Sequence, residues 1–296
     1  MSTSSSRGRA QRRSFPCISA EAFTSPRDRA ALTSLQQTPL LPQLVRKFNE
    51  IAADRVAYLQ NSAASVRCGP RQLPTLHRLM LEACEILDVP EPELYLQRGA
   101  DDHAYTAGVS RTFIVLSSGL VENFTNEELR FVIGHELGHI KCGHVLYQMV
   151  GRLLIPLLEG LGSVTLGIGQ LAGIGLVSGF YEWIRQAEFS ADRAGLLVCQ
   201  DARVACTAIM KLGGGGTRLD GEMNVEAFLE QARQHAESAP SEGIAKALLF
   251  FLYNWQLSHP QVVFRARDLD QWVQSGEYER ILGGHYLRDE GSRSQP

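Results

Sequence analysis

His135-Glu136-Leu137-Gly138-His139 constrains this chain more tightly than any other stretch. Two imidazoles four residues apart lie about 40° apart around an α-helix, so both reach one point from a single face, and the neighbouring carboxylate stands beside that point. The segment is therefore expected to be a helix with a metal-binding face, the nucleus of a zinc hydrolase. Upstream, Thr125-Asn126-Glu127-Glu128 has the form of a capping box. Leu129, Val132, Ile133, Leu137 and Ile140 then recur at helical spacing, which predicts a helix from Thr125 carrying the histidines about two turns in. Gly134 and Gly138 each cost about 1 kcal/mol relative to Ala inside a helix, a cost that fits a strand or second helix passing close by. The plain alternative is a pair of hydrogen-bonded core histidines on an amphipathic helix.

A third ligand decides which kind of zinc site this is. A metzincin needs Gly and His at positions that here hold Cys142 and Val145, while Gly143 and His144 are out of step. On a continuous helix His144 would point about 180° from His135, so it is not expected to join the site. Glu159 lies near the distance of the glutamate in thermolysin-like or aminopeptidase-like gluzincins, but it interrupts an apolar run without a companion motif. The better candidate is Glu188 in Glu188-Phe189-Ser190-Ala191-Asp192. On a second helix Glu188 can bind the ion, and Asp192, one turn later, can accept the distal N–H of a ligand histidine and fix its tautomer. Read alone, two carboxylates so spaced are a solvated helix face; beside the histidine motif they complete a ligand set.

A third pattern, His259-Pro260 followed by Arg265, comes later in the chain. With all three in order, residues from about 70 to 285 resemble the membrane-associated gluzincins that include the HtpX heat-shock protease and the CaaX prenyl endopeptidases. The resemblance implies a zinc-dependent metalloendopeptidase acting on proteins or peptides, with protein quality control as its setting. One zinc per chain would be held by His135, His139 and Glu188, with Asp192 behind them. By the same resemblance His259 would steady the oxyanion and Arg265 would orient groups near the zinc. Where the family commonly has Asn-Ala-aromatic ahead of the active-site edge strand, this chain has His103-Ala104-Tyr105.

The chemistry expected of such a site is metal-assisted peptide hydrolysis. Zinc would bring the pKa of its water toward about 7, and Glu136 would take the water's proton and pass it to the leaving amine. The strand around Phe113-Ile114-Val115-Leu116 could pair an extended substrate by strand addition, or be a buried core strand. The alternative function is a non-proteolytic, zinc-stabilised, membrane-associated chaperone or assembly factor, its cleft blocked by His103 or by residues 149–181.

The expected fold is α+β, a predominantly helical zincin-type metalloprotease with a small antiparallel sheet. Residues 1–19, with arginines at 7, 9, 12 and 13 and no acid, read as a disordered basic tail. Residues 20–69 read as a helical extension, starting at Ser25-Pro26 and continuing in a stripe of Leu44, Val45, Phe48, Ile51, Ala52, Val56 and Leu59. Residues 70–290 read as the peptidase domain, with strands near 93–97, 103–107 and 112–117 and later helices near 224–237, 242–257 and 262–275. The run Gly213-Gly214-Gly215-Gly216 lacks the lysine of a phosphate loop and is expected to be a flexible connection. A net charge of −3 argues against a nucleic-acid partner. Six cysteines without paired spacing suit buried free thiols in a reducing compartment such as the cytoplasm. Between 149 and 181 only Arg152 and Glu159 are charged, but seven of the last 22 residues are glycine. That segment is long enough to span a bilayer but poor in apolar surface. Membrane association is expected, against a soluble cytoplasmic or plastid protein with a tight hairpin there.

Overall fold

The computed structural model describes residues 12–38, 41–50, 53–152, 168–238 and 261–289. Helices α1 (Pro26–Gln36), α2 (Leu41–Glu50) and α3 (Ala53–Ala64) precede strand β1 (Val66–Arg67) and α4 (Pro74–Leu87). Strands β2 (Glu93–Gln97), β3 (Ala104–Ala107) and β4 (Phe113–Ser117) follow, then α5 (Ser118–Asn123) and the motif helix α6 (Asn126–Lys141). Helix α7 is described over residues 144–152. After it come α8 (Ile168–Cys199), α9 (Ala202–Gly214), α10 (Val225–Ser238), α11 (Val262–Gln274) and α12 (Glu277–Leu282). The expected helix at 242–257, Glu159, His259 and Pro260 lie outside the described residues. Among the described residues no helix is long and apolar enough to cross a membrane.

The sheet has the order β1-β2-β4-β3 and is mixed rather than wholly antiparallel. Having left β2, the chain skips one strand position to lay down β3 and hairpins back into the gap as β4, so β4 runs parallel to β2 and antiparallel to β3. All five residues of β4 are buried. Ile114 and Leu116 face a core shared with α4, α6, α8 and α9, and Phe113 and Val115 face a second core with α1, α2, α7 and α8. With partners on both sides, β4 has no free edge to offer a substrate; the edge strands are β1 and, next to β4, β3.

Residues 12–19, assigned by composition to a disordered basic tail, are packed against the rest of the protein. Arg12 pairs with Glu82 and Glu127, and Phe15 and Ile18 are buried in the first core. The Phe15 N–H donates to Ile86 O at 2.9 Å, and Ile18 bridges to Arg288, so the two ends of the described chain meet over α4. Two apolar anchors and acidic partners outweigh the arginines here. The stripe on α2 and α3 is only partly packed: Phe48 is buried, but Val56 and Leu59 are exposed. All six cysteines are free, four of them buried, and burial pushes the thiols of Cys142, Cys199 and Cys206 up to about 12.

Candidate metal centre

Helix α6 begins at the capping box. Thr125 Oγ1 accepts the Glu128 N–H at 3.3 Å and Glu128 Oε2 accepts the Thr125 N–H at 2.7 Å. Lys211 on α9, its side chain wholly buried, donates to the same Glu128 oxygen at 3.0 Å and anchors the helix start. The two helical glycines let α8 approach: a Cβ on Gly134 would lie 2.6 Å from Val198 Cβ, and one on Gly138 2.6 Å from Ala194 Cβ. Across this contact α8 sets Glu188 and Asp192, one turn apart, against the two histidines.

The Nε2 atoms of His135 and His139 lie 3.2 Å apart. Glu188 Oε2 is 3.4 Å from the first and Glu188 Oε1 is 3.3 Å from the second. All three side chains are buried, and their ligand atoms converge as a group that could hold a metal. A tetrahedral zinc with bonds of about 2.0–2.1 Å separates its ligand atoms by about 3.3 Å, so these spacings fit the ion, and two imidazoles with a carboxylate are the donor set zinc takes.

Each histidine is held from behind. His135 Nδ1 donates to Asp192 Oδ1 at 2.9 Å. Arg265 grips Asp192 with both arms, Nη2 to Oδ1 at 2.6 Å and Nε to Oδ2 at 2.8 Å, and its Nη1 lies 3.7 Å from Glu188 Oε2. Burial opposes charge on Asp192, but Arg265 and His135 hold it below the usual carboxylate range. Burial likewise opposes charge on His135, yet Asp192 and Glu188 push it up to about 9. For His139 burial wins over Glu188 and holds the ring below the ordinary imidazole value. A metal held here would require both histidine Nε2 atoms to be free of protons. His139 Nδ1 faces His144 Nδ1 at 3.0 Å. Helix α6 stops at Lys141, and the left-handed Gly143 (φ 71°) turns the chain back so that His144 meets the His139 ring edge-on from behind, centroids 5.3 Å apart. His144 stays out of the convergent trio, as expected, but through a chain reversal rather than through a continuous helix.

Glu136 lines the cleft beside the trio, and Thr106 on β3 donates its hydroxyl to Glu136 Oε2 at 2.6 Å. The cleft has a volume of about 430 Å³, with His103, Ala104, Glu136, Glu188 and Arg265 among its walls. His103 stands at its rim, half-buried and stacked on Tyr105. Gly213, from the run expected to be a flexible connection, forms part of the wall at the end of α9. The structure thus brings together His135, Glu136, His139, Glu188, Asp192 and Arg265, while His259 lies outside the described residues. Sequence reasoning missed Thr106, which only strand alternation on β3 could have suggested, and the support behind His139.

The sequence pattern of peptidase family M48 matches residues 70–273. Over 274 residues the chain is 36% identical to the plastoglobule-localized metallopeptidase 48, chloroplastic, of Arabidopsis thaliana, covering 90% of this chain and 77% of that relative. It is 25% identical over 174 residues to protease HtpX homolog 2 of Methanosarcina mazei, covering 51% of this chain and 59% of the archaeal protein. The crystal structure of S. mikatae Ste24p overlaps 82% of this chain and 64% of its own, at a TM-score of 0.41 and 16% identity.

Proposed function

Within peptidase family M48, to which the chain belongs and whose zinc-dependent proteolysis it shares, we propose that His135, His139 and Glu188 are the zinc ligands and Glu136 the catalytic carboxylate. The observation that carries this reading is the convergence of two imidazole nitrogens and one carboxylate at 3.2–3.4 Å in a buried site open to a cleft. Bound there, zinc supplies a Lewis acid and an acidified water.

The chain's own groups do the rest. The Thr106 hydroxyl occupies Glu136 Oε2, which leaves Oε1 to take a proton from water and return it to the leaving amine. Asp192 fixes His135 as the tautomer with a bare Nε2, and Arg265 keeps Asp192 charged and in place and stands 3.7 Å from Glu188 Oε2, so both are positioning residues. His259 is the group we assign to the developing oxyanion, on the family pattern alone. An extended substrate adds along β3, whose outer edge is unpaired in the described sheet, and main-chain pairing of this kind reads backbone more than sequence.

The substrates are proteins or peptides. Quality control of misfolded proteins at a membrane or plastid lipid surface is the setting we propose, supported by the apolar, glycine-rich segment 149–181 and by the plastoglobule localisation in the plant relative's name. Recovery of the full chain wholly in the soluble fraction after cell disruption would contradict the membrane part. For the activity, Glu136→Gln is expected to cut casein at least about 100-fold more slowly than the parent while keeping its zinc. Equal turnover by both proteins would overturn the assignment of Glu136.

A further inference from the structure

The two proposed ligand histidines are supported differently. Asp192 braces His135 directly, whereas behind His139 stands a second histidine and then an acid from a distant element. His144 Nδ1 is 3.0 Å from His139 Nδ1 and His144 Nε2 is 3.0 Å from Asp28 Oδ2. Asp28 lies in the first turn of α1, and both Asp28 and His144 are 1% exposed. Ser190, on the turn of α8 between Glu188 and Asp192, donates its hydroxyl to Asp28 Oδ2 at 2.6 Å and accepts the Ser25 N–H at 2.9 Å. Trp183 closes the other side of His144, edge-on at 5.6 Å.

Two ring nitrogens 3.0 Å apart can face each other only if one carries a proton and the other does not. A ligand His139 turns a bare Nε2 to the ion, so its proton sits on Nδ1 and His144 Nδ1 must accept it. His144 then carries its own proton on Nε2, and that proton needs an acceptor, which Asp28 supplies. The Gln148 amide, 3.2 Å from His139 Nδ1, can present either of its ends and so does not oppose this arrangement. The proton placement in the whole row follows from the carboxylate at its end.

We propose that Asp28 is a positioning residue for zinc binding, acting through His144 to fix the tautomer and orientation of His139. The proposal rests on the reading of His139 as a ligand. It makes the N-terminal helix, outside the residues 70–273 matched by the family pattern, a working part of the metal site.

The test is zinc affinity of the full chain by competition with a chromogenic chelator, with the visible spectrum of the cobalt-loaded protein as a second readout and circular dichroism to confirm folding. Asp28→Leu, which keeps much of the side-chain volume but leaves the ring no oxygen to donate to, is expected to weaken zinc about 10–100-fold, the usual effect of removing a group that orients a ligand histidine, and to alter the cobalt spectrum. His144→Phe keeps a ring against Trp183 without nitrogens and is expected to do the same, which keeps the proposal testable if Asp28→Leu fails to fold. The double variant is expected to be no worse than the poorer single one, because both break the same row. Parental affinity in either variant, or full additivity in the double, would overturn the proposal. Parental affinity in His139→Ala would instead overturn the ligand assignment beneath it.

Discussion

Arg265 and Asp192 bear a charge balance that zinc at the proposed site would complete. Asp192 accepts from His135 and from both arms of Arg265, all inside the protein. A buried ion pair is weak evidence of stability, but removing one partner leaves an uncompensated charge at about 3–5 kcal/mol. Arg265→Leu is therefore expected to destabilise the zinc-free protein by about that amount. Zinc, adding positive charge beside Glu188, should narrow the gap, as thermal unfolding with and without the metal would show; an equal loss in both states would contradict this charge balance. At this scale the readable residues were those joined by local spacing, the histidine pair on α6 and the acid pair on α8. Thr106, His144 and Asp28 were not readable as support, because each acts across a tertiary contact for which its own neighbours give no pattern.

Among the elements, the crossing of α6 and α8 decides whether the two halves of the site meet. A Cβ at position 138 would meet Ala194 Cβ at 2.6 Å and Ala191 Cα at 3.0 Å, neither of which is a flexible side-chain end. Gly138→Ala is thus expected to push the helices apart, cost about 1–3 kcal/mol as overpacking does, and weaken zinc binding by moving Glu188 away. Chemical denaturation together with chelator competition measures both effects, and a stable variant with parental zinc affinity would contradict the close crossing. The sequence showed that these glycines needed an explanation, and the capping box fixed where α6 starts. It did not reveal the neighbour, nor that β4 would be central and β3 an edge, because strand order depends on how the chain between β2 and β4 folds back. The end of α6 before His144 was legible in principle, because Gly143, just past the cap at Cys142, takes the left-handed conformation that commonly terminates helices.

Over the whole molecule, several carboxylates hold distant segments together. Glu82 joins Arg12 and Arg130, Asp54 on α3 accepts the N–H groups of Val109 and Ser110 in the β3–β4 turn, and Asp28 joins α1 to His144. Burial opposes charge on each, yet their partners hold all three below the ordinary carboxylate values of 3.8 and 4.5. The unfolded chain then binds more protons than the folded one in acid, so this stability is fully present above about pH 4.5 and is lost as pH falls through the lower folded values. Acid titration followed by circular dichroism is expected to show unfolding that shifts to higher pH in Arg12→Ala, which weakens the hold on Glu82; an unchanged midpoint would contradict it. The N-terminal segment was the hardest part to read, because its arginines resemble a solvated tail until Glu82, Glu127 and the buried Phe15 and Ile18 are set against them.

X-ray absorption at the zinc edge tests the central claim most directly. The account predicts one zinc per chain in a shell of nitrogen and oxygen only, at about 2.0–2.1 Å, with the multiple-scattering signature of two imidazoles and a changed shell in Glu188→Ala. A sulfur neighbour near about 2.3 Å, or an identical shell in Glu188→Ala, would contradict it.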